Sequence, residues 1–375
     1  MQGLLGAGYK VDQEIENIYK SYLADYAVKH PKKSFFQEFM NPTPPASEYE
    51  LDRDLISKKA VSSDLAIISI GRNAGEGRDR KTEADYYLTD TEKVSIKNIA
   101  HAFHEQHKKI IVVLNIGGVI DVAQWADDAD AILLAWQPGL EGGNAIADVL
   151  SGKVNPSGKL ATTFPAKYDD VPSSKTFPGK EFPEKATTGM MGMKLVPAEV
   201  TYDEGVYVGY RYYISFGVKP YYEFGYGLSY TNFSYGNLKL SSTSFNGKIT
   251  ATVTVTNSGK VAGKEVVQLY LSAPANKLDK PNAELKGFGK TALLAPGKSQ
   301  TITFVLNAED LASFDTHASA WIAEAGKYTV SVGASSINIK QSTSFNLSNE
   351  LTVEKVNKVM TPKVEIKERK SKKAF

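Results

Sequence analysis

Glu76 is the side chain that the sequence places best for acid–base chemistry. It sits between Gly75 and Gly77 in the run GRNAGEGRDR of residues 71–80, just after the run 65–70, apolar but for Ser69. Such a run suits a strand covered on both faces, and in open α/β sheets ligands gather beyond the carboxyl ends of such strands. The flanking glycines open backbone conformations closed to other residues, so the loop can aim a carboxylate and let a ligand come close. Such a carboxyl group can protonate a leaving group or activate a water. Spacing alone also fits a solvated turn, because exposed Glu beside Gly is ordinary in loops.

Other candidates have more modest readings. Arg78, Asp79 and Arg80 follow Glu76 directly. A neighbouring cation keeps a carboxylate ionised, the opposite of what an acid needs, so these three are expected to hold the loop. Glu141 is a second loop carboxylate at the same sheet edge, and its expected place is a helix N-terminus, where the dipole favours negative charge. Trp125 and Trp136 are expected in the core rather than as ligand-stacking platforms. His101, His104 and His107 spread over too wide an arc of one helix to converge on a metal, and Lys108 and Lys109 follow, so a solvated helix end is expected. Met190, Met191 and Met193 fit an apolar flap better than a copper site. Nucleotide binding fails on detail: GEGRDR lacks the third glycine of G-x-G-x-x-G, and GLEGGNA lacks the Lys-Ser/Thr of a phosphate loop. No metal and no organic cofactor are expected.

The elements that position these residues alternate. After the Glu76 loop, Thr89-x-x-Glu92 fits a capping box opening a helix to about His107, with Val94, Ile96, Ile99, Ala100 and Phe103 as apolar positions. Residues 109–115 and 131–136 are further strands, and a helix runs to Leu150. That alternation implies right-handed crossovers and a parallel sheet. From about Asp169 the sequence turns Pro-, Lys- and Gly-rich, which predicts a connecting loop at about 168–200. Aromatic stretches follow at 206–213 and 220–230. Beyond them, alternating runs at 249–257, 265–271, 300–306 and 328–333, separated by turn signals, predict a β-sandwich. Residues 363–375 are lysine-rich and expected to be a solvated tail.

Composition bounds the rest. The chain has 375 residues, enough for two or three domains at roughly 100 to 200 residues each. A net charge of +2 predicts no strong pull toward nucleic acid or membrane surfaces. With no cysteine, disulfides and thiolate sites are excluded. No apolar run approaches the ~20 residues of a membrane span. The N-terminus shows no basic start followed by an apolar core, so no export signal is visible; the compartment stays open, with the cytoplasm favoured.

Four motifs in order, GRNAGEGRDR, VVLNIGGVIDVAQW, AWQPGLEGGNAIADVLSGKVNPSGKLATTFP and YEFGYGLSYTNF, followed by a β-sandwich, resemble the C-terminal half of family-3 glycoside hydrolases of the β-glucosidase type. The resemblance covers nearly the whole chain. It implies an α/β sandwich domain over residues 1–229, truncated at its N-terminus, a fibronectin type III-like domain over 230–350, and a basic tail over 351–375. Glu76 matches the family's general acid/base. The resemblance also implies a nucleophilic Asp in a Ser-Asp-Trp-like motif on a preceding (β/α)8 barrel, and no Asp-Trp pair occurs here. Retaining glycosidases need two carboxyl groups about 5 to 5.5 Å apart. Residues 3–9, GLLGAGY, resemble a segment that normally follows the domain's first strand. The expectation is therefore a fragment or split half of a retaining exo-acting β-glucosidase. It would act on a β-glucoside or short β-linked oligosaccharide with the barrel supplied in cis or trans. The alternative is a non-catalytic accessory or carbohydrate-binding module derived from such an enzyme.

Overall fold

Three apolar runs become one parallel sheet. The structure, a computed structural model, describes all residues except 76–78, 190, 191, 193 and 372–375. It divides into two compact units, Met1–Val154 and Asn155–Phe375. In the first, helices α1 (Gln2–Gly6), α2 (Gln13–Lys29), α3 (Phe35–Met40) and α4 (Arg53–Ser62) precede strand β1 (Leu65–Arg72). Helix α5 (Asp90–Glu105), strands β2 (Lys109–Ile116) and β3 (Ala131–Leu134), and helix α6 (Gly142–Leu150) follow. The sheet order is β1-β2-β3, with Leu65 opposite Lys109 and Ile111 opposite Ala131, all parallel. Ile110, Val112, Leu114 and Ile116 of β2 are fully buried.

Two expectations change here. β1 is an edge strand on which only Ile70 is buried, so cover on both faces belongs to β2. In α5, Val94 faces solvent, whereas Glu92, Ser95, Ile96, Ala100 and Phe103 turn inward. The inward stripe follows the i, i+3, i+4 spacing from Glu92, which puts Val94 on the far side of the helix. Thr89 caps α5 as predicted: its hydroxyl accepts from the Glu92 amide, and Glu92 accepts from the Thr89 amide.

The second unit begins with residues 155–164 hydrogen-bonded along residues 222–226, through Leu160 to Tyr226 and Phe164 to Tyr222. The stretch expected as a connecting loop contains two short ladders: β4 (Lys180–Glu181) with β7 (Ala198–Glu199), and β5 (Thr187–Thr188) with β6 (Lys194–Leu195). Helix α7 (Tyr210–Phe216) carries the aromatic segment. Strands β8 (Phe233–Leu240), β9 (Lys248–Asn257), β10 (Val266–Ser272), β11 (Glu284–Lys290) and β12 (Ser299–Asn307) lead to helix α8 (Ala308–Leu311). Strands β13 (Ser313–Asp315), β14 (Ala320–Ala323), β15 (Gly326–Gly333), β16 (Ile339–Leu347) and β17 (Leu351–Lys355) complete the unit. Sheets β12-β9-β8 and β11-β10-β15-β16 enclose one core, to which alternate residues of β9, β10, β12, β15 and β16 contribute. Small third sheet β13-β14-β17 adjoins them.

Inside this unit Glu324 is buried. It accepts from Lys280 Nζ and from the amides of Asn276, Lys277 and Leu278, so one carboxylate organises a whole loop. The terminal segment departs from the expected solvated tail. The Arg369 amide donates to Asp203 O, its guanidinium lies over the Tyr212 ring, and Ser371 is buried with its amide on Asp279. Cation–π contact and desolvation of an aromatic neighbour favour that return over full hydration. Among the described residues no helix is long and apolar enough to cross a membrane.

Candidate active site

The loop after β1 leaves the strand at Arg72 and is placed again from Asp79 onward; Glu76, Gly77 and Arg78 lie outside the described residues. Gly75 takes a φ of 78°, the left-handed conformation for which glycine is suited. Both flanks of the loop press on the turn after β2. A Cβ on Gly117 would lie 2.6 Å from the Ala74 Cα, and one on Gly118 would lie 2.7 Å from Arg80 Nη1. The first contact meets backbone and leaves no room for a side chain, whereas the second meets the tip of Arg80, which would have to give up its place, so the glycine pair after β2 fits the motif that follows β1.

Two arginines fix these flanks. Arg72 makes a bidentate pair with Glu92, Nη1 to Oε1 at 2.8 Å and Nη2 to Oε2 at 2.6 Å, and its Nε donates to Asp85 O. Burial raises the Glu92 carboxyl, but the Arg72 fork and the Thr89 amide outweigh it and hold the group below its usual range. Arg80 donates through Nε and Nη2 to Asp85 Oδ1, and through Nη1 to Val119 O at 2.8 Å. Asp85 therefore matches the charge of Arg80. Asp85 lies in the bend Thr82–Tyr86, where Ala84 adopts a φ of 61°.

The remaining candidates fall into place around this edge. Glu141 stands at the N-terminus of α6, as expected, and accepts from Asn144 Nδ2 at 2.6 Å. Trp125 is buried, with its indole N–H on Asp121 O, whereas Trp136 is half-buried with a φ of 52°. Asp121 is 2% exposed, and burial pushes its carboxyl up. It accepts from the Gln124 amide and so closes the turn into Trp125. Asp79 is exposed.

His101 pairs with Glu105 and His104 with Asp130, so the histidines diverge rather than face a common point. Lys108 is not merely solvated: it donates to Ala60 O and Val61 O and so closes the end of α4. Asp130 accepts from Lys109, the Ile110 amide and His104. Burial opposes ionisation there, but these donors win and lower the carboxyl to about 2. Among the described residues no group of three or more His, Asp or Glu is placed to hold a metal. The methionines at 190, 191 and 193 lie outside the described residues.

Sequence reasoning found the loop and its glycines but not Arg72, Asp85 or the second task of Glu92. The available signal was an arginine ending an apolar strand, since a half-buried guanidinium there requires an anion nearby.

A parallel α/β unit with a glycine-flanked loop at the carboxyl edge of its sheet, followed by a β-sandwich, is the architecture of one class of glycoside hydrolases. Residues 10–210 match the glycosyl hydrolase family 3 C-terminal domain, and residues 265–336 match the fibronectin type III-like domain. The chain belongs to glycosyl hydrolase family 3. It is 35% identical to beta-glucosidase A of Butyrivibrio fibrisolvens across 95% of its own length and 47% of that protein. It is 34% identical to an exo-alpha-(1->6)-L-arabinopyranosidase of Bifidobacterium longum, over 88% of this chain and 40% of that one. The solved structure of beta-glucosidase 3B from Thermotoga neapolitana in complex with alpha-D-glucose superposes with a TM-score of 0.83 at 45% identity, covering 93% of this chain and 46% of that chain. The chain thus spans about half the length, or less, of the relatives it matches.

Proposed function

We propose that this chain is the acid/base-bearing portion of a retaining exo-acting β-glucosidase, with Glu76 as the general acid/base. The observation that carries the reading is the bracing of both flanks of the Glu76 loop against Gly117, Gly118 and Asp85 at the carboxyl edge of the parallel sheet. That edge is where open α/β sheets bind ligands. In the first step Glu76 would protonate the departing glycosidic oxygen. In the second it would take a proton from the water that releases the sugar. The nucleophile would come from a barrel that these 375 residues do not contain, in the same polypeptide or in a second one. A terminal β-D-glucosyl residue is the proposed substrate, supported by the names of most relatives; L-arabinopyranosides are the second glycon to assay.

The experiment compares the chain alone with the chain joined to the barrel half of a family member, using aryl β-glucosides. The chain alone should show no turnover, because a lone acid cannot form the glycosyl-enzyme intermediate. The joined protein should turn over. Contaminant-free chain alone working at about 1 per second would overturn the assignment of the nucleophile to another segment. The absence of an Asp-Trp pair favours one second reading, a non-catalytic carbohydrate-binding accessory. That reading predicts sugar binding without turnover in either form.

A further inference from the structure

General acid/base catalysis needs the carboxyl group within ~3 Å of the proton it moves, so a loop that carries one must be held at both ends. On the exit side, among the described residues, Arg80 makes the side-chain contacts that hold the loop. Arg80 is about one-fifth exposed, and its Nε, Nη1 and Nη2 all donate to Asp85 or to Val119 O. Its targets are themselves fixed: Asp85 O also receives Arg72 Nε, and the Tyr87 amide closes the bend on Thr82 O. The missing Cβ of Gly118 leaves the space that Nη1 fills.

We propose that Arg80, anchored by Asp85, is a positioning residue that sets the acid/base loop against the β2 turn. This rests on the reading of Glu76 given above. A planar fork is required, because one ammonium group cannot meet Asp85 and Val119 O together. Arg80→Lys should therefore behave like Arg80→Ala, although it keeps the charge.

The test has two arms. In the full chain, hydrogen exchange is followed peptide by peptide in Arg80→Ala, Arg80→Lys and Asp85→Asn. Amides of Tyr86 and Tyr87, which donate to Lys81 O and Thr82 O in the bend that Arg80 grips, should exchange about tenfold faster, the scale of one lost charge-assisted hydrogen bond, while those of β2 stay unchanged. Millimolar methylguanidinium should restore protection to Arg80→Ala but not to Asp85→Asn. In the barrel-joined protein, Arg80→Ala should lower kcat about 10 to 100-fold with KM nearly constant, the scale of a slightly misplaced catalytic group. Exchange that is unchanged, or that rises equally through β1 and β2, would overturn the proposal, as would an unchanged kcat per folded molecule. Full turnover by Glu76→Gln in the same protein would instead remove the acid/base reading, and the exchange arm would still judge Arg80.

Discussion

Arg72 and Arg80 both donate to the main-chain carbonyl of Asp85, at 3.0 Å through Nε of the first and 3.4 Å through Nη2 of the second. The residues that enter and leave the Glu76 loop are thus fastened to one oxygen atom. The loop's position depends on a bend beyond it in sequence, and the predictions below follow from this and from other fixed points of the fold.

In the barrel-joined protein, Glu76→Ala should slow hydrolysis of poorly activated glucosides by about 10² to 10⁴-fold, the usual worth of a general acid/base. Substrates with good leaving groups should lose less in the glycosylation step, because they depart without a proton. Added azide should recover part of the rate by attacking the intermediate without base assistance. Glu141→Ala should leave turnover unchanged. The reverse pattern, assayed on the same substrates, would move the acid to Glu141.

Gly117→Ala should destabilise the first unit by about 1 to 3 kcal/mol, the range for overpacking a filled site. The new methyl would meet the Ala74 backbone, which cannot swing aside as a flexible side chain can. Denaturant unfolding followed through the buried Trp125 measures the loss. A variant as stable as the parent would mean that the two loops separate freely.

Asp130→Asn should cost about 1 to 2 kcal/mol at neutral pH, from weakened charge-assisted hydrogen bonds to Lys109, Ile110 and His104. The folded carboxyl titrates at about 2 and the unfolded one near 3.8. Its contribution is therefore full above the unfolded value and is lost as pH falls through the folded one. Stability curves of parent and variant should converge between these values. A gap that stays constant down to the lower value would show that ionisation of Asp130 is not its source.

Glu324→Gln should destabilise the second unit by about 3 to 5 kcal/mol, because it leaves the Lys280 ammonium buried without its counter-charge. The double change to Gln and Met, which removes both charges, should recover much of that loss. Calorimetry of the three proteins decides, and equal stability of Glu324→Gln and the parent would remove the pair from the account.

Periodicity made the strands of both units legible where it was strong. The apolar runs of β1 and β2 and the alternation of β9 and β12 left little choice. Strand β11, ELKGFGK, gave no such signal, because glycines occupy two inward positions. Cβ atoms on Gly287 and Gly289 would lie 2.9 and 2.8 Å from Phe304 and Ile302, so the strand's pattern was set by its neighbour's bulk. The brace at the candidate site stayed hidden for a related reason. Glu92 already had a local explanation as a cap, and its pairing with Arg72 exists only once α5 packs beside β1. Asp85 sits in a bend without glycine, where Ala84 carries the left-handed turn that glycine would have advertised.

Asn155 joins three distant stretches: its Oδ1 accepts from Ser229 Oγ and the Tyr230 amide, and its Nδ2 donates to Ala262 O. Those partners follow it by 74, 75 and 107 residues. Contacts so remote in sequence bear a large loop-closure entropy before they return any enthalpy, which makes them late events in folding. During synthesis this junction stays open until residue 262 has left the ribosome. The segment 155–164 has no partner until residues 222–226 follow it out, and that interval is when a chaperone would have most to protect.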